Sequence, residues 1–272
     1  MVDYKDKVVV VTGAGRGIGQ AVSVKFAEAG AVVVLADIQL APQQETVAEL
    51  QKRGLSAYAF KCDVASEDSV AAFASSVIGS AGVPDLIYNN AVLVRSGGVL
   101  NASPDNILKE FDVNVLGYLR IAQAFIPHMV ARGTGWVVNT ASPNAFIPPP
   151  LVADNLLGYC ITKGAEASMS YCMAMSLMPL GIKVSLLMPD LTYTDSVHEL
   201  QGNASAAFHK GFSEFVTTQS RSAELVAGKI VGKLLSGDAR YLVNVHEGFE
   251  ESLKTWAAQG MEPDPSLGEL RR

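Results

Sequence analysis

Tyr159 and Lys163 stand four residues apart at the end of SPNAFIPPPLVADNLLGYCITK, the stretch from Ser142 to Lys163. At that spacing two side chains share one face of a helix. A tyrosine hydroxyl ordinarily has a pKa of about 10 and is a poor base near neutrality. A neighbouring ammonium favours the phenolate and lowers that value, and a general base works best when its pKa approaches the working pH. Taken alone, the pair reads equally as a core tyrosine beside a snorkelling lysine. Ser142 closes the apolar run WVVNTAS (136–142) with a hydroxyl that can donate to an oxygen on which charge develops. Asn114 falls inside a helical pattern, where asparagine is a mediocre helix former, and that mild cost points to a specific use.

A second chemical feature lies near the N-terminus. The β-branched run KVVVVT (7–12) meets TGAGRGIG (12–19), in which Gly13, Gly17 and Gly19 follow a Thr-Gly-x-x-x-Gly-x-Gly pattern. Glycines there permit a tight turn and let backbone approach a pyrophosphate seated on the N-terminus of the next helix. As a bare strand-to-helix turn the cluster would mean nothing; its place after the first strand and before a helix raises it above that. Asp37 ends the second apolar run, 18 residues after Gly19. A carboxylate there accepts hydrogen bonds from a ribose diol and repels a 2′-phosphate, which favours NAD over NADP. Ile38 follows it, so no arginine stands next to Asp37, although Arg16 in the glycine loop could reach such a phosphate. Asp63–Val64 and Asn89–Asn90–Ala91 end the third and fourth runs.

Strand-like and helix-like segments alternate behind these residues. Strands are expected at 7–12, 31–37, 56–64, 85–90, 136–142, 182–189 and 240–245. Helices are expected at 18–30, 42–53, from Ser66 as N-cap, at 103–131 with Pro104 in the first turn, at 156–178 and at 222–235. Continuous apolar strands separated by helices mean a parallel sheet covered on both faces. The expectation is an α/β fold of Rossmann type: one doubly wound domain over 1–272 with about seven strands. Residues 190–220 read as irregular, 190–215 as a mobile lid, and 246–272 as a C-terminal extension, its tail after Gly260 exposed or pinned to a neighbour. Ligands in such sheets bind outside the carboxyl ends of the strands, where all the polar tips above fall.

Composition narrows the class. The chain has 272 residues, 49% of them hydrophobic, which suits one domain with a large core. A net charge of -6 argues against nucleic acid or an anionic membrane as partner. Cys62, Cys160 and Cys172 are odd in number and widely spaced, which suits reduced thiols in a cytoplasmic compartment. No metal-ligand spacing is present, and His198 and His209 read as exposed. The N-terminal apolar run is too short for a signal sequence or a membrane span; DYKD resembles an affinity tag but reads more simply as a polar lead-in.

The ordered set Thr12–Gly13–x–x–x–Gly17–x–Gly19, Asp37, Asp63, Asn89–Asn90–Ala91, Asn114, Ser142, Tyr159–x–x–x–Lys163 and Pro189 resembles the short-chain dehydrogenase/reductase family, in its classical subgroup, over about residues 5 to 245. The resemblance implies a catalytic set of Asn114, Ser142, Tyr159 and Lys163. In it, Tyr159 is the acid/base, Lys163 lowers its pKa and holds the nicotinamide ribose, and Ser142 orients the substrate oxygen. Asn114 supports a water-linked proton path through Lys163. The implied NAD contacts are Gly13, Arg16, Gly17, Ile18, Gly19, Asp37, Asp63, Val64, Asn90, Ala91, Tyr159, Lys163, Pro189 and Thr194, with Thr194 at the carboxamide. Family members commonly pair the helices at 103–131 and 156–178, so a homo-oligomer, dimer or tetramer, is expected.

Three departures stand out. Val92 occupies a family glycine position, where a β-branched residue dislikes positive φ and adds bulk. Asp190 stands where the family has glycine and puts a carboxylate near the nicotinamide end. The Ser142–Tyr159 gap is about four residues longer than usual; its Pro148–Pro150 run would stiffen an extended loop over the substrate, or be a surface excursion. Substrate-facing candidates are Val92, Val94, Arg95, Asn144, Phe146, Ile147, Leu151, Leu191 and Tyr193. Most are apolar or aromatic and favour a hydrophobic, cyclic or aromatic secondary alcohol or ketone. Arg95 could instead hold a carboxylate or sit solvated in its loop. The competing functions are an NADPH-dependent carbonyl reductase, disfavoured by Asp37, and a non-catalytic cofactor-binding regulator, disfavoured by the intact Ser142, Tyr159 and Lys163.

Overall fold

The computed structural model describes residues 3–194, 199–237, 240–264 and 266. In chain order the first half runs β1 (Val8–Thr12), α1 (Gly17–Glu28), β2 (Val32–Asp37), α2 (Leu40–Lys52), β3 (Ala57–Lys61), α3 (Glu67–Ser80), β4 (Leu86–Asn89) and β5 (Arg95–Ser96). It continues through α4 (Pro104–Phe111), a π-helical turn (Asp112–Leu116), α5 (Gly117–Arg132), β6 (Gly135–Thr140), α6 (Pro150–Ala153) and α7 (Leu157–Leu177). Then come β7 (Ile182–Met188), β8 (Gln201–Gly202), α8 (Ala206–Gln219), α9 (Ala223–Leu235), β9 (Leu242–Asn244) and α10 (Phe249–Ala258).

Seven strands form one parallel sheet in the order β3-β2-β1-β4-β6-β7-β9, and β5 pairs with β8 in a separate two-stranded ribbon. β1 and β2 read VVVVT and VVVLAD because both of their faces are covered. Alternate residues of β1 go to opposite sides. Val9 and Val11 pack with Val22 and Phe26 of α1 and Ile230 and Leu234 of α9. Val8 and Val10 pack with Phe73 of α3 and with Ile121, Phe125 and Met129 of α5. The strand order reverses between β1 and β4, which opens a crevice at their carboxyl ends. The doubly wound α/β fold is therefore present as expected, and Ser66 caps α3 by accepting from the Ser69 N–H at 3.3 Å.

Four expectations change. The single helix expected over 103–131 is split by the π turn that carries Asn114. Residues 190–220, read as irregular, include α8, with Ser205 accepting from the Phe208 N–H at 3.1 Å. The proline run is not wholly extended, since Pro150 begins α6, the missing N–H costing nothing in a first turn. The C-terminal stretch holds α10, anchored by the buried Phe249.

Phe125 is fully buried and meets Phe73 edge-on, ring centroids 5.9 Å apart. Phe125→Ala should cost about 3–5 kcal/mol of unfolding free energy, read by chemical denaturation, because this layer between α3, α5 and the sheet cannot collapse around the void.

Candidate active site

The β1 and β4 tips are stapled together. Thr12 Oγ1 accepts from the backbone N–H groups of Asn90 and Ala91 at 3.0 and 3.2 Å. The Asn90 side-chain amide donates to the Thr12 and Gly13 carbonyls, both at 3.2 Å. Gly13 has φ +62°, and a Cβ on it would stand 2.8 Å from the Ala91 Cα; a Cβ on Gly19 would collide with the Gly13 carbonyl oxygen. The loop is thus held where side chains cannot fit, and α1 begins after it, Ile18 against the core, with no side-chain cap on its first N–H groups. The methyl of Thr194 would lie 2.9 Å from a Cβ on Gly17, so Thr194 stands over the loop. Asp37 closes the far side: its Oδ2 accepts from the Gly15 N–H and its Oδ1 from the Gln39 N–H, both at 3.0 Å. Asp63 accepts from the Ala65 N–H at 3.0 Å, and Val64 packs against Gly117. A glycine-lined turn at 13, 17 and 19, open helix N–H groups and a carboxylate one strand away fit a nicotinamide dinucleotide.

Ser142, Tyr159 and Lys163 come together beyond the end of β6. The Lys163 ammonium is buried and lies 5.7 Å from the Tyr159 ring centroid and 5.9 Å from that of Tyr118. It donates to the Thr140 carbonyl at 2.7 Å and to Glu166 Oε2 and Oε1 at 2.9 and 3.1 Å. Burial raises the Tyr159 pKa above its ordinary value, while the Lys163 ammonium and a hydrogen bond from Ser142 pull it down. Ser142 is buried and also accepts from the Asn144 N–H at 3.2 Å. Asn114 is fully buried in the π turn. Its side chain accepts from the Leu93 N–H at 2.7 Å and donates to the Leu93 carbonyl and to Thr162 Oγ1 at 2.9 and 3.1 Å. Its amide is therefore committed to the loop after β4 and to α7, and not to Lys163. Glu166 is the residue that sequence reasoning missed: an i,i+3 acid on an apolar helix, where the lysine before it was the only available signal.

On the substrate side the structure divides the candidates. Val94 joins Tyr159, Val152, Leu156, Phe208 and Phe212 in one apolar cluster, with Phe208 and Phe212 stacked at 5.2 Å. Phe146 does not join them; it packs toward α10, 6.2 Å from Phe249, because the turn after Ser142 points it the other way. Leu151 is exposed on α6 and Val92 is 48% exposed. Val92 has no positive φ, so the β-branched residue sits there unstrained. Arg95 is half-buried, its N–H held by Glu110 Oε1 at 2.9 Å. Asn144 lies in the short 3-10 turn after Ser142 and Ile147 is buried behind it. His209, read as exposed, is half-buried and bonded to Ser96 Oγ at 2.8 Å; His198 lies outside the described residues.

Pro189 leads directly from β7 into Asp190, which is buried but does not confront the reacting end unpaired. Its Oδ2 meets Arg221 Nε at 3.0 Å and Lys229 Nζ at 3.7 Å, and both cations also pair with Glu247. Leu191 is fixed by its N–H to Asp190 Oδ1 and by its carbonyl to the Arg221 N–H, and the Tyr193 N–H donates to the Arg221 carbonyl. The acid at this glycine position therefore clamps the 190–194 segment to the N-terminal side of α9.

A model of the short chain dehydrogenase family matches residues 7–204. The Mycobacterium tuberculosis protein EphD, a probable oxidoreductase, is 34% identical over 207 residues, covering 76% of this chain. The chain spans about a third of that protein's length. The 1-deoxy-11-beta-hydroxypentalenate dehydrogenase of Streptomyces exfoliatus is 33% identical over 236 residues, covering 86% of this chain and 81% of that protein. A short chain dehydrogenase/reductase from Burkholderia phymatum, solved in complex with NAD, superposes with a TM-score of 0.86 at 25% identity, covering 97% of this chain and 98% of that one.

Asp190→Asn should loosen the clamp: amide exchange at Leu191, Tyr193 and Arg221 should quicken about tenfold or more in hydrogen–deuterium exchange, with distant core amides unchanged. Unaltered exchange at those three positions would mean that the acid does not hold the segment.

Proposed function

This chain belongs to the short-chain dehydrogenase family, and we propose that it moves a hydride between NAD(H) and a hydrophobic, cyclic or aromatic secondary alcohol or ketone. It is an oxidoreductase of that family's type, acting on CH–OH groups. The observation that carries the finer reading is the meeting of Ser142, Tyr159 and Lys163 beside the glycine loop. A bound nicotinamide supplies the redox chemistry. The protein's own residues handle the proton. Tyr159 gives its hydroxyl proton to the substrate oxygen in reduction and takes it back in oxidation. Ser142 donates to the same oxygen and holds it toward Tyr159. Lys163 supplies the positive charge that eases loss of the Tyr159 proton. Asn114 acts from the π turn by holding Thr162 and Leu93, and so the helix face on which Tyr159 lies.

Asp37 supports NAD over NADP, since its carboxylate stands beside Gly15 where a 2′-phosphate would be repelled. Arg16, the residue that could receive that phosphate, pairs with Glu199 at 2.7 Å. The NAD in the Burkholderia phymatum structure agrees with this choice. The apolar cluster around the Tyr159 ring supports a hydrophobic substrate, and the Streptomyces exfoliatus relative's name specifies a hydroxylated pentalenate. The described part of residues 190–215, which takes in the first ten residues of α8, acts as the lid over that cluster; 195–198 lie outside the described residues. Ile161, Tyr171 and Met175 leave apolar area exposed on α7, which supports a homo-oligomer. Among the described residues no helix is long and apolar enough to cross a membrane, and a cytoplasmic enzyme with a small-molecule substrate is the reading that accords with the composition.

Tyr159→Phe should lower kcat/KM about 10²–10⁴-fold while NAD binding, read by calorimetry, stays within a few-fold. Full turnover in that variant would sink the mechanism. Asp37→Ala should reduce the NAD-over-NADP preference in kcat/KM about tenfold or more; an unchanged ratio would show that the carboxylate does not select the cofactor.

A further inference from the structure

Lys163 has a partner that the proposed proton chemistry does not use. Glu166 is fully buried on α7, one turn beyond Lys163, with both carboxylate oxygens within 3.1 Å of the ammonium. The third donor direction of the ammonium goes to the Thr140 carbonyl. The titratable groups facing the carboxylate are Lys163 and Tyr159 on its own helix and Tyr118 from α5, with Tyr88 of β4 next to Tyr118; the Thr140 carbonyl at the end of β6 meets the ammonium, not the carboxylate. Lys163 is the positive charge in that set.

We propose that Glu166 is a positioning residue of this site: it seats the Lys163 ammonium against the Thr140 carbonyl and offsets part of the positive charge felt at Tyr159. The proposal rests on Tyr159 being the acid/base. Its physical basis is the opposition of two charges near one hydroxyl. The ammonium favours the Tyr159 phenolate, and the carboxylate beside it disfavours the same phenolate. While Glu166 is ionised, Tyr159 keeps its proton more firmly. When the carboxyl takes up a proton, the ammonium acts on Tyr159 undiminished. Burial pushes the Glu166 carboxyl up to about 7 against the pull of Lys163, so the change falls in the neutral range. A purely structural pair would hold α7 to β6 and leave the Tyr159 titration alone.

The test is an ultraviolet titration of tyrosinate absorbance on the whole protein without cofactor. Subtracting the trace of Tyr159→Phe isolates Tyr159 in the wild type, and the same subtraction is made in a Glu166→Gln background. Glu166→Gln keeps the side-chain shape and removes the charge. The Tyr159 pKa should fall by about one pH unit, and the acid limb of kcat/KM for alcohol oxidation should move to lower pH by the same amount. Glu166→Asp, which keeps the charge, should stay nearer the wild-type titration than Glu166→Gln. An unmoved Tyr159 titration in folded Glu166→Gln overturns the proposal and leaves the acid–base reading intact. Full turnover in Tyr159→Phe overturns that reading and leaves the tyrosinate shift measurable. If Glu166→Gln fails to fold, Glu166→Met, apolar and of similar length, is expected to show the same downward shift; failure of both neutral variants to fold would mark Glu166 as structural and overturn the proposal.

Discussion

A buried ammonium restricts everything packed around it. Lys163 is 3% exposed, and a charge so far from water must be met by acceptors or it would cost far more than a helix of this size gains by folding. Thr140 supplies a carbonyl from the end of β6, and Glu166 supplies a carboxylate from one turn further along α7. Satisfying both sets the rotation of α7 against the sheet. Positions 159, 163 and 166 share one helical face, so the rotation that seats Lys163 also turns Tyr159 toward Ser142. The same stretch of α7 is fixed a second time, because Thr162, between Tyr159 and Lys163, receives the Asn114 amide from the π turn. A regular α-helix through residues 112–116 would rotate Asn114 away from Thr162; the widened turn is what lets one residue reach both α7 and the loop after β4.

The cofactor side depends on a different constraint, the absence of side chains. Gly13 and Gly19 bring two stretches of backbone within a distance that any Cβ would violate, and Thr12 and Asn90 hold the result by four hydrogen bonds across the β1–β4 reversal. The two halves of the site are thereby carried on neighbouring strand ends of one rigid sheet. That placement suits the proposed function, in which a proton donor and a dinucleotide must present themselves to the same substrate atom pair.

Much of this was readable in the residues themselves. The seven parallel strands announced themselves as continuous apolar runs such as VVVVT, because burial on both faces removes any need for alternation. The glycine spacing, Asp37 and the Tyr159–Lys163 pair were legible because each is local: a turn, a strand end, one helix face. What stayed hidden depends on long-range partners. Nothing near Asn114 in the chain says that its amide will bond Leu93, 21 residues away, and Thr162, 48 residues away. Phe146 stands close to Ser142 in sequence yet packs on α10, an element that the polar tail obscured. Phe208, Phe212 and Val216 of α8 do recur every four residues, but Gly211 and the polar surroundings masked a short apolar stripe. Glu166 drew no reading at all, since its burial is decided by what lies across from it.

The two glycine positions held here by other residues illustrate how the chain absorbs substitutions near its reacting end. Val92 is tolerated because its backbone avoids positive φ and the residue is about half exposed. Asp190 is tolerated for the opposite reason: it is buried, and Arg221 and Lys229 take up its charge before that charge can oppose chemistry at Tyr159. Glu166 is treated differently. Its charge is also paired, but with Lys163, the same ammonium that the Tyr159 proton depends on. A carboxylate answered by cations of its own disappears from the local field. One answered by a cation already in use alters that field, and the proton affinity of Tyr159 becomes a property of the Lys163–Glu166 pair and not of Lys163 alone.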